Sequence, residues 1–395
     1  MKTDAIDRAA TVRRIAAAAG AVRVAIADAR ASQATFDALA ASFARGDLAT
    51  WGYGESYARK ASDPREILPG ARSVICVAVP YARFAADRAN ARDAPLCGRV
   101  SNYAWSDDYH HYVRALLGRI ARALDADAGA QVTRVVCDTA PLAERAFARA
   151  AGLGWIGKHT NLIAPGLGSF VFLGEIVTTL DLACDTPLKK TCGACTRCVV
   201  ACPTGALRGD YTIDATRCIS DLTQRTGAIP RSLRPLVGDW LWGCDLCGLA
   251  CPPTRNARTA IDPAFAPKNA NLAAPALLEI LAMRSATYKR VYRGTAMGWR
   301  GAAILRRNAA VVLGNMLDRA TVPELVTGLA RDPHALVRGH IAWALGRIGS
   351  PAAIRALAQA ATLESDDSVL EEIAAARMAS SLEGNLPCVS GVVKA

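Results

Sequence analysis

Eight cysteines between Cys192 and Cys251 constrain this 395-residue chain more than any other feature of its sequence. A four-cysteine run with the spacing C-x2-C-x2-C-x3-C-P begins at Cys192. A shorter run with the spacing C-x2-C-x3-C-P begins at Cys244. In a reducing compartment, cysteines clustered in this way are more often metal ligands than disulfides. The sequence therefore predicts a domain in which bound metal replaces most of the hydrophobic core.

The four-cysteine run has the spacing of bacterial ferredoxins, in which three cysteines bind one [4Fe–4S] cluster and the fourth binds the other. The second run lacks one cysteine, and Cys218 is the available substitute upstream. This swapped pairing leaves out Cys184. Structural zinc is the alternative, but zinc usually takes two separated cysteine pairs and has no use for a third closely spaced cysteine. The predicted ligands are Cys192, Cys195, Cys198 and Cys251 for cluster one, and Cys202, Cys218, Cys244 and Cys247 for cluster two.

The bulk composition is that of a globular, basic protein. Hydrophobic residues make up 52% of the chain and charged residues 21%, which excludes an intrinsically disordered chain. No apolar run reaches the length of a membrane span, and the N-terminal residues lack the apolar stretch of an export signal, so we expect a cytoplasmic protein. The net charge of +12 is compatible with a nucleic-acid partner. No obligate interface is evident, so we expect a monomer.

Residues 1–182 predict a mixed α/β domain. Residues 1–60 have a helical pattern, with alanine-rich periodic stretches over Arg13–Arg30 and Phe36–Arg45. β-Branched runs bounded by turn residues indicate strands farther along. The predicted strands are Ser73–Pro80, Gln131–Cys137, Asn161–Ala164 and Ser169–Leu180, and the predicted helices are Asp107–Leu124 and Leu142–Ala151.

The chain after Pro275 predicts helix after helix. Two arginine-bearing amphipathic segments end in Leu-Gly, and their glycines, Gly314 and Gly346, are 32 residues apart. This period indicates HEAT-like helix pairs, with a plain helical bundle as the alternative. The predicted organisation is an α/β domain at 1–182, a ferredoxin-like two-cluster domain at 183–262, helical repeats at 263–384 and a tail at 385–395.

A basic stretch over Met283–Arg307 contains no acidic residue, and Tyr288, Tyr292 and Trp299 lie among its cations. Cations for phosphates and flat rings for unstacked bases are typical of an RNA-binding face. The alternative is a solvated helix face. The predicted RNA contacts are Arg284, Lys289, Arg290, Arg293, Arg300, Arg306 and Arg307, with Arg338 on the next repeat.

Several motifs together resemble the epoxyqueuosine reductase family. They are CDTAPLAER from Cys137, GLGWIGKHTNLI from Gly152, DPREILPGARSVI from Asp63, and GRVSNY from Gly98 followed by DYH from Asp108. The cysteine pattern and the helical repeats follow in the same order, so the resemblance covers residues from about 50 to 350. Its motifs are specific in combination.

The resemblance implies a cobalamin-dependent enzyme that reduces epoxyqueuosine to queuosine at the wobble position of tRNA anticodons. It implies that a low-potential donor, which the sequence does not identify, supplies electrons through the clusters. We expect entry at cluster two and exit from cluster one. The chain lacks the D-x-H-x-x-G signature of other corrinoid folds, which fits base-off cobalamin without a protein histidine on cobalt. The rivals are a corrinoid reductive dehalogenase-like enzyme acting on a small molecule, and an RNA-binding or electron-transfer adaptor.

Asp138 is the predicted proton donor. It follows the strand Gln131–Cys137, and functional side chains commonly lie at strand ends in α/β domains. A carboxyl group beside an apolar cofactor keeps its proton more readily. The alternative is that Asp138 only caps the helix predicted from Leu142. Together with Asp138, the predicted cobalamin contacts are Arg59, Lys60, Ser101, Asn102, Lys158, His159, Thr160, Ser169, Ser220, Asp221 and Asp245.

Overall fold

A computed structural model describes residues 2–48, 51–81, 96–257, 262–267 and 270–383. The predicted tail at 385–395 lies outside these residues, and the predicted domain boundaries stay predictions. The strands are β1 (Arg23–Asp28), β2 (Ser73–Pro80), β3 (Arg99–Val100), β4 (Thr133–Val136), β5 (Trp155–Ile156), β6 (Leu162–Ile163), β7 (Val171–Thr178) and β8 (Trp240–Trp242). The α-helices are α1 (Lys2–Ala18), α2 (Gln33–Ala44), α3 (Glu55–Ala61), α4 (Tyr109–Ala128), α5 (Glu144–Ala150), α6 (Arg197–Val200), α7 (Ile219–Gln224), α8 (Leu246–Ala250), α9 (Pro252–Arg255), α10 (Ala270–Ala273), α11 (Leu277–Leu281), α12 (Ser285–Val291), α13 (Ala302–Met316), α14 (Val322–Arg331), α15 (Ala335–Ile348), α16 (Pro351–Leu363) and α17 (Asp367–Glu383).

A four-stranded antiparallel sheet with the order β1-β2-β7-β4 forms the centre of the first domain. Every residue of β2 is buried because both faces of the sheet are covered. Ile75 and Val77 face α1 and α4, whereas Val74 and Cys76 face α5. The mixed fold predicted for this domain is confirmed.

One local prediction in this domain is wrong. Arg23–Asp28 is the edge strand β1, not the end of a helix, because its backbone pairs with β2 from Arg23↔Ala78 to Asp28↔Ser73. Tertiary pairing outweighs the helical preference of its alanines. The short strand β6 pairs with β5 in a separate hairpin, and an antiparallel bridge from Ala164 to Gly168 closes the turn that leads to β7.

The C-terminal helices form the predicted repeats. Gly314 of α13 lies directly against α15, where an added Cβ would be 2.7 Å from the Trp343 ring. The equivalent Gly346 of α15 lies against α17, where an added Cβ would be 2.6 Å from that of Ala376. Glycine at the same position of each repeat therefore allows the next helix to approach closely. No helix in the described ranges is long and apolar enough to cross a membrane.

Three arginines predicted to contact RNA instead hold the fold together. Arg306 is buried and pairs with Asp332 at 2.6 Å, and Arg338 pairs with Glu364 at 2.7 Å. Arg307 is fully buried and donates to the backbone carbonyls of Leu222, Arg225 and Gly227. Those carbonyls lie at the end of α7, where a helix leaves acceptors without intrahelical partners. The prediction is wrong for these three, because their guanidinium groups bind carboxylates and carbonyls within the protein.

Replacing Arg307 with methionine is expected to lower the thermal unfolding temperature of the anaerobically purified protein. The change leaves buried carbonyls without a donor, a loss of roughly 3 kcal/mol for hydrogen bonds to a charged group. Calorimetry or circular dichroism measures the shift. The matched control is Arg290→Met on the exposed side of α12. Equal unfolding temperatures for the two variants would contradict the structural role of Arg307.

Candidate active site

A cavity of about 1590 Å³ lies where the three parts of the chain meet. Its wall includes Asp138 and Phe172 from the α/β domain, Ser220 and Cys247 from the cysteine-rich part, and Trp299 from the segment before α13. Pockets for drug-sized ligands usually occupy about 300–1,000 Å³. The cavity therefore has room for a large cofactor or for two ligands together.

Asp138 lies on the cavity wall two residues after β4 ends. Its φ of +56° is in the left-handed region, which non-glycine residues adopt rarely. Its backbone N–H donates to Oε1 of Glu144 at 2.6 Å, and its carboxylate contacts His110. The helix α5 begins only at Glu144, and the residue before it is Ala143. Asp138 therefore does not cap that helix, and its side chain, 56% exposed, is available to a ligand in the cavity.

His110 joins Asp138 to a second carboxylate. Its Nδ1 lies 2.6 Å from Oδ1 of Asp108, and its Nε2 lies 3.1 Å from Oδ2 of Asp138. Burial favours the neutral ring, but the hydrogen bonds to the two carboxylates outweigh it and raise the pKa of His110 to about 9. The ring is therefore an imidazolium at neutral pH. Sequence reasoning missed this role, although Asp108 and His110 stand in the DYH motif, because the contact with Asp138 spans 28 residues.

The predicted cobalamin contacts divide into two groups. Six of the residues lie on the cavity wall: Lys60, Ser101, Asp138, Ser169, Ser220 and Asp245. Asp245 also accepts hydrogen bonds from Ser101 Oγ and from the Asn102 backbone N–H, so it holds the loop that carries both. Arg59 turns away toward Glu55 and the ring of Phe36.

The other predicted contacts lie behind the cavity wall and hold its loops in place. His159 is buried, bonded to Ser169 Oγ at 3.1 Å, and burial lowers its pKa to about 4, so its ring is neutral. Thr160 accepts from Arg145 through its carbonyl, and Lys158 donates to the carbonyl of Gly193 in the first cysteine run. Asp221 accepts from Trp51 Nε1 and pairs with Arg225. These side chains fix loops around the cavity.

The described cysteines form no disulfide, and the eight predicted cluster ligands lie in two groups. Burial raises the pKa of Cys251, and the nearby Cys192 and Cys195 raise it further. Cys198 is likewise affected by Cys192 and Cys251. Among the described residues, no three His, Cys, Asp or Glu side chains converge as they would around a single metal ion. The members of the first group are Cys192, Cys195, Cys198 and Cys251.

The second group lies between the first group and the cavity. Cys247 lies near Cys218 and Cys202 of its own group and near Cys198 of the first group, and Cys244 lies near Cys247 and Cys218. Two of these residues, Cys244 and Cys247, line the cavity, whereas Cys195 of the first group is exposed. Because two of the cysteines assigned to cluster two line the cavity, the structure favours the opposite electron order to the one expected from the sequence, and the order itself stays a prediction.

Comparisons with known proteins agree with this site. A family model described as "Epoxyqueuosine reductase QueG, DUF1730" matches residues 62–139. Others described as "4Fe-4S double cluster binding domain" and "HEAT repeats" match residues 191–254 and 301–377. The epoxyqueuosine reductase of Xanthomonas campestris is 38% identical over 352 residues, which are 88% of this chain and 98% of that protein. This chain belongs to the epoxyqueuosine reductase family.

Other members of the epoxyqueuosine reductase family are similarly close. The Escherichia coli enzyme is 39% identical over 287 residues, which are 72% of this chain and 75% of that enzyme. A crystal structure of an epoxyqueuosine reductase with an epoxyqueuosine-modified tRNA-Tyr stem loop has a TM-score of 0.86 and 30% identity, and covers 94% of this chain and 98% of that one. A Bacillus subtilis structure, with a catalytic aspartate loop swung out of the active site, has a TM-score of 0.85, 30% identity, and covers 93% of this chain and 98% of that one.

Family membership confirms the predicted resemblance, the fold and the assignment as an oxidoreductase. It also confirms that residues 191–254 form a double-cluster iron–sulfur domain. The zinc alternative and the adaptor alternative are therefore set aside. The cytoplasmic location and the monomeric state stay predictions.

Proposed function

We propose that this chain reduces epoxyqueuosine to queuosine at the wobble position of tRNA, with cobalamin in the cavity and a [4Fe–4S] cluster in each cysteine group. The observation that carries the proposal is that Asp138 and the thiols of Cys244 and Cys247 open on the same cavity. The proposed proton donor and the cysteines of the proposed electron-donating cluster thus line the same cavity. A dehalogenase-like activity has no comparable support from the family.

Cobalamin, when bound, supplies low-potential cobalt chemistry at the epoxide. The polar wall residues Lys60, Ser101, Ser169, Ser220 and Asp245 are the candidates to hold its amide side chains. The second cysteine group forms part of the same wall. Electrons that arrive at the first group, of which Cys195 is exposed, therefore have only the second group between them and the cavity. The physiological donor is a low-potential reductant that the sequence does not identify.

Residues of this chain supply the protons for the reaction. Converting an epoxide to an alkene and water consumes two electrons and two protons, and Asp138 is placed to donate to the leaving oxygen. His110, an imidazolium hydrogen-bonded to the Asp138 carboxylate, holds the proton that Asp138 passes on to the leaving oxygen. Asp108 holds the other ring nitrogen and keeps the imidazole oriented. The aspartate loop described in the Bacillus subtilis relative supports the same role for the loop that carries Asp138.

An exposed basic surface beside the cavity is the proposed tRNA site. Arg284, Lys289, Arg290 and Arg293 are exposed, and Arg293 reaches the cavity wall. The relative that was crystallised with a tRNA stem loop supports this assignment.

Aromatic side chains extend this surface at the cavity mouth. Arg300 stacks 3.7 Å over the Trp299 ring, and Trp299 stacks on Trp51 with ring centroids 5.8 Å apart. Trp299 is half-exposed, so its ring can receive an unstacked base. Tyr288 and Tyr292, expected in the same role, are buried and instead belong to the core.

Removing two of the exposed cations is expected to weaken tRNA binding, and the loss should come only from contacts with the phosphates. The variant Lys289→Ala with Arg290→Ala should bind an anticodon stem loop less tightly, and its affinity should depend less steeply on salt. The slope of log affinity against log salt should fall by about 1–2, because each lost phosphate contact removes close to one unit. Anisotropy titrations at several salt concentrations measure it. Arg355→Ala, exposed on α16, is the matched control, and an unchanged slope in the double variant would contradict the assignment.

The cofactor part of the proposal is tested by anaerobic purification. We expect iron and sulfide sufficient for two [4Fe–4S] clusters, and a corrinoid absorption spectrum after incubation with cobalamin and removal of the excess. Loaded clusters without any retained corrinoid would contradict the assignment of the cavity.

A further inference from the structure

A carboxyl group is buried in the middle of the central sheet. Glu175 lies on β7, between Cys76 of β2 and Val136 of β4, and is fully buried. Within the described residues, neither of its carboxyl oxygens meets a hydrogen-bond donor. Burying a carboxyl without a donor is costly, so such a group needs an explanation.

The neighbour of Glu175 is a second carboxyl, that of Glu144. Glu144 begins α5 and reaches the cavity wall. Its Oε1 accepts the backbone N–H of Asp138 at 2.6 Å. A continuous path of contacts therefore runs from the buried Glu175, through Glu144, to the backbone of the residue that we assign as proton donor.

We propose that Glu144 and Glu175 share one proton and together position the loop that carries Asp138, a role that rests on the proposed reductase function. Glu175 keeps the proton and donates it in a hydrogen bond to Glu144. Glu144 keeps the negative charge and accepts the Asp138 N–H. Both are positioning residues, since neither is required to contact the substrate.

The division of the proton follows from burial. Two carboxyl groups in contact cannot both stay ionised, and the more deeply buried one loses its charge first. Burial and the adjacent charge of Glu144 raise the pKa of Glu175 well above its usual value. Burial also raises the pKa of Glu144, to about 7, although the Asp138 N–H favours its ionised form. Glu175 is therefore the acid, and Glu144 becomes the carboxylate as the pH rises above about 7.

The Asp138 loop needs such an anchor because its backbone is strained. A residue with a Cβ adopts the left-handed region at a cost, and the conformation persists only where its surroundings hold it. A hydrogen bond to a carboxylate is stronger than one to a neutral group. An ionised Glu144 therefore stabilises the position of Asp138 more than a protonated one does.

Other titratable groups face this pair from each element around it. Arg145 adjoins Glu144 on α5, and Asp138 faces it from the loop. The remaining ones are Cys76 on β2, Cys137 after β4, Tyr57 on α3 and Tyr109 on α4. Burial and the nearby carboxylates raise the pKa of each of these four, so they stay neutral near pH 7. Among these groups, Glu144 is therefore the one whose charge changes near pH 7.

Two substitutions of Glu144 test the proposal. Glu144→Ala removes the acceptor and should lower kcat by roughly tenfold to a hundredfold, the effect of a misplaced catalytic group. Its KM for tRNA and its iron and corrinoid content should be unchanged, and amide exchange in residues 138–140 should be faster. Glu144→Gln retains a neutral carbonyl acceptor for the Asp138 N–H, as protonated Glu144 does, so its kcat at pH 8 should lie between that of Glu144→Ala and that of the unsubstituted enzyme. Glu66→Ala, which changes an exposed glutamate, is the matched control.

The pH profile distinguishes positioning from a purely structural role. In the unsubstituted enzyme, kcat should fall as the pH drops through about 7, because Glu144 becomes protonated and its bond to Asp138 weakens. The Glu144→Gln variant should lack this acid limb. An acid limb that persists in that variant, or unchanged amide exchange at residues 138–140 in Glu144→Ala, would overturn the proposal.

The two readouts also separate this inference from the proposed function. Amide exchange needs no substrate, so it tests the anchor even if the unsubstituted protein leaves epoxyqueuosine unchanged. An unsubstituted protein that leaves epoxyqueuosine unchanged would contradict the proposed function, but it would not contradict the proposed carboxyl pair. If Glu144→Ala fails to bind its cofactors, the pH profile of Glu144→Gln decides the matter.

Discussion

Replacing Asp138 with asparagine is expected to lower single-turnover reduction of epoxyqueuosine in tRNA by roughly a hundredfold to ten-thousandfold. The amide has nearly the same shape as the carboxyl, so the loop and its hydrogen bond to Glu144 can remain. It has no acidic proton to give to the leaving oxygen. The rate is measured with excess enzyme, a chemical reductant and nucleoside analysis of the tRNA.

The same preparation provides the controls for the Asp138 variant. Iron content, the corrinoid spectrum and affinity for the stem loop should match those of the unsubstituted protein, because Asp138 lies on the cavity wall outside both cysteine groups. Asp37→Asn, on the exposed side of α2, controls for the chemical change itself. An Asp138→Asn variant that reduces the nucleoside at the normal rate would remove Asp138 from its proposed role.

Replacing His110 with glutamine is expected to lower kcat by about tenfold to a hundredfold and to change its pH dependence. Glutamine can still hydrogen-bond to Asp138 but cannot supply a proton. The raised pKa of His110 means that the ring keeps its proton up to about pH 9 and loses it above. Activity of the unsubstituted enzyme should therefore fall above about pH 9, and this alkaline limb should be absent from the variant.

Steady-state kinetics between pH 7 and 10 measure the effect of the His110 substitution. The matched control is His334→Gln, at the exposed N-terminus of α15, which should keep both the rate and the alkaline limb. An alkaline limb that survives in His110→Gln would assign that titration to another group. The proposed proton route through His110 would then be wrong.

Features set by local spacing could be predicted from the sequence. The ferredoxin spacing predicted a double-cluster domain because three ligands of one cluster lie within a few residues of one another. The 32-residue period predicted the helical repeats because each glycine admits the next helix at the same place. The position of Asp138 could be predicted because a strand ends two residues before it.

Features set by domain packing could not be predicted. The basic helix around Arg307 has the same sequence pattern whether its cations face RNA or the carbonyls at the end of α7. The electron order depends on which cysteine group packs against the cavity, and spacing contains no such information. Glu175 could not be identified either, since a glutamate within a strand gives no sign that its neighbour will be Glu144.

The most direct test of the whole account is nucleoside analysis of tRNA that carries epoxyqueuosine. The anaerobically purified protein is loaded with cobalamin, incubated with this tRNA and a strong reductant, and the digested tRNA is analysed by mass spectrometry. We predict that epoxyqueuosine disappears, that queuosine takes its place, and that the conversion requires added cobalamin. Unchanged epoxyqueuosine with a protein that has bound both its clusters and corrinoid would contradict the account.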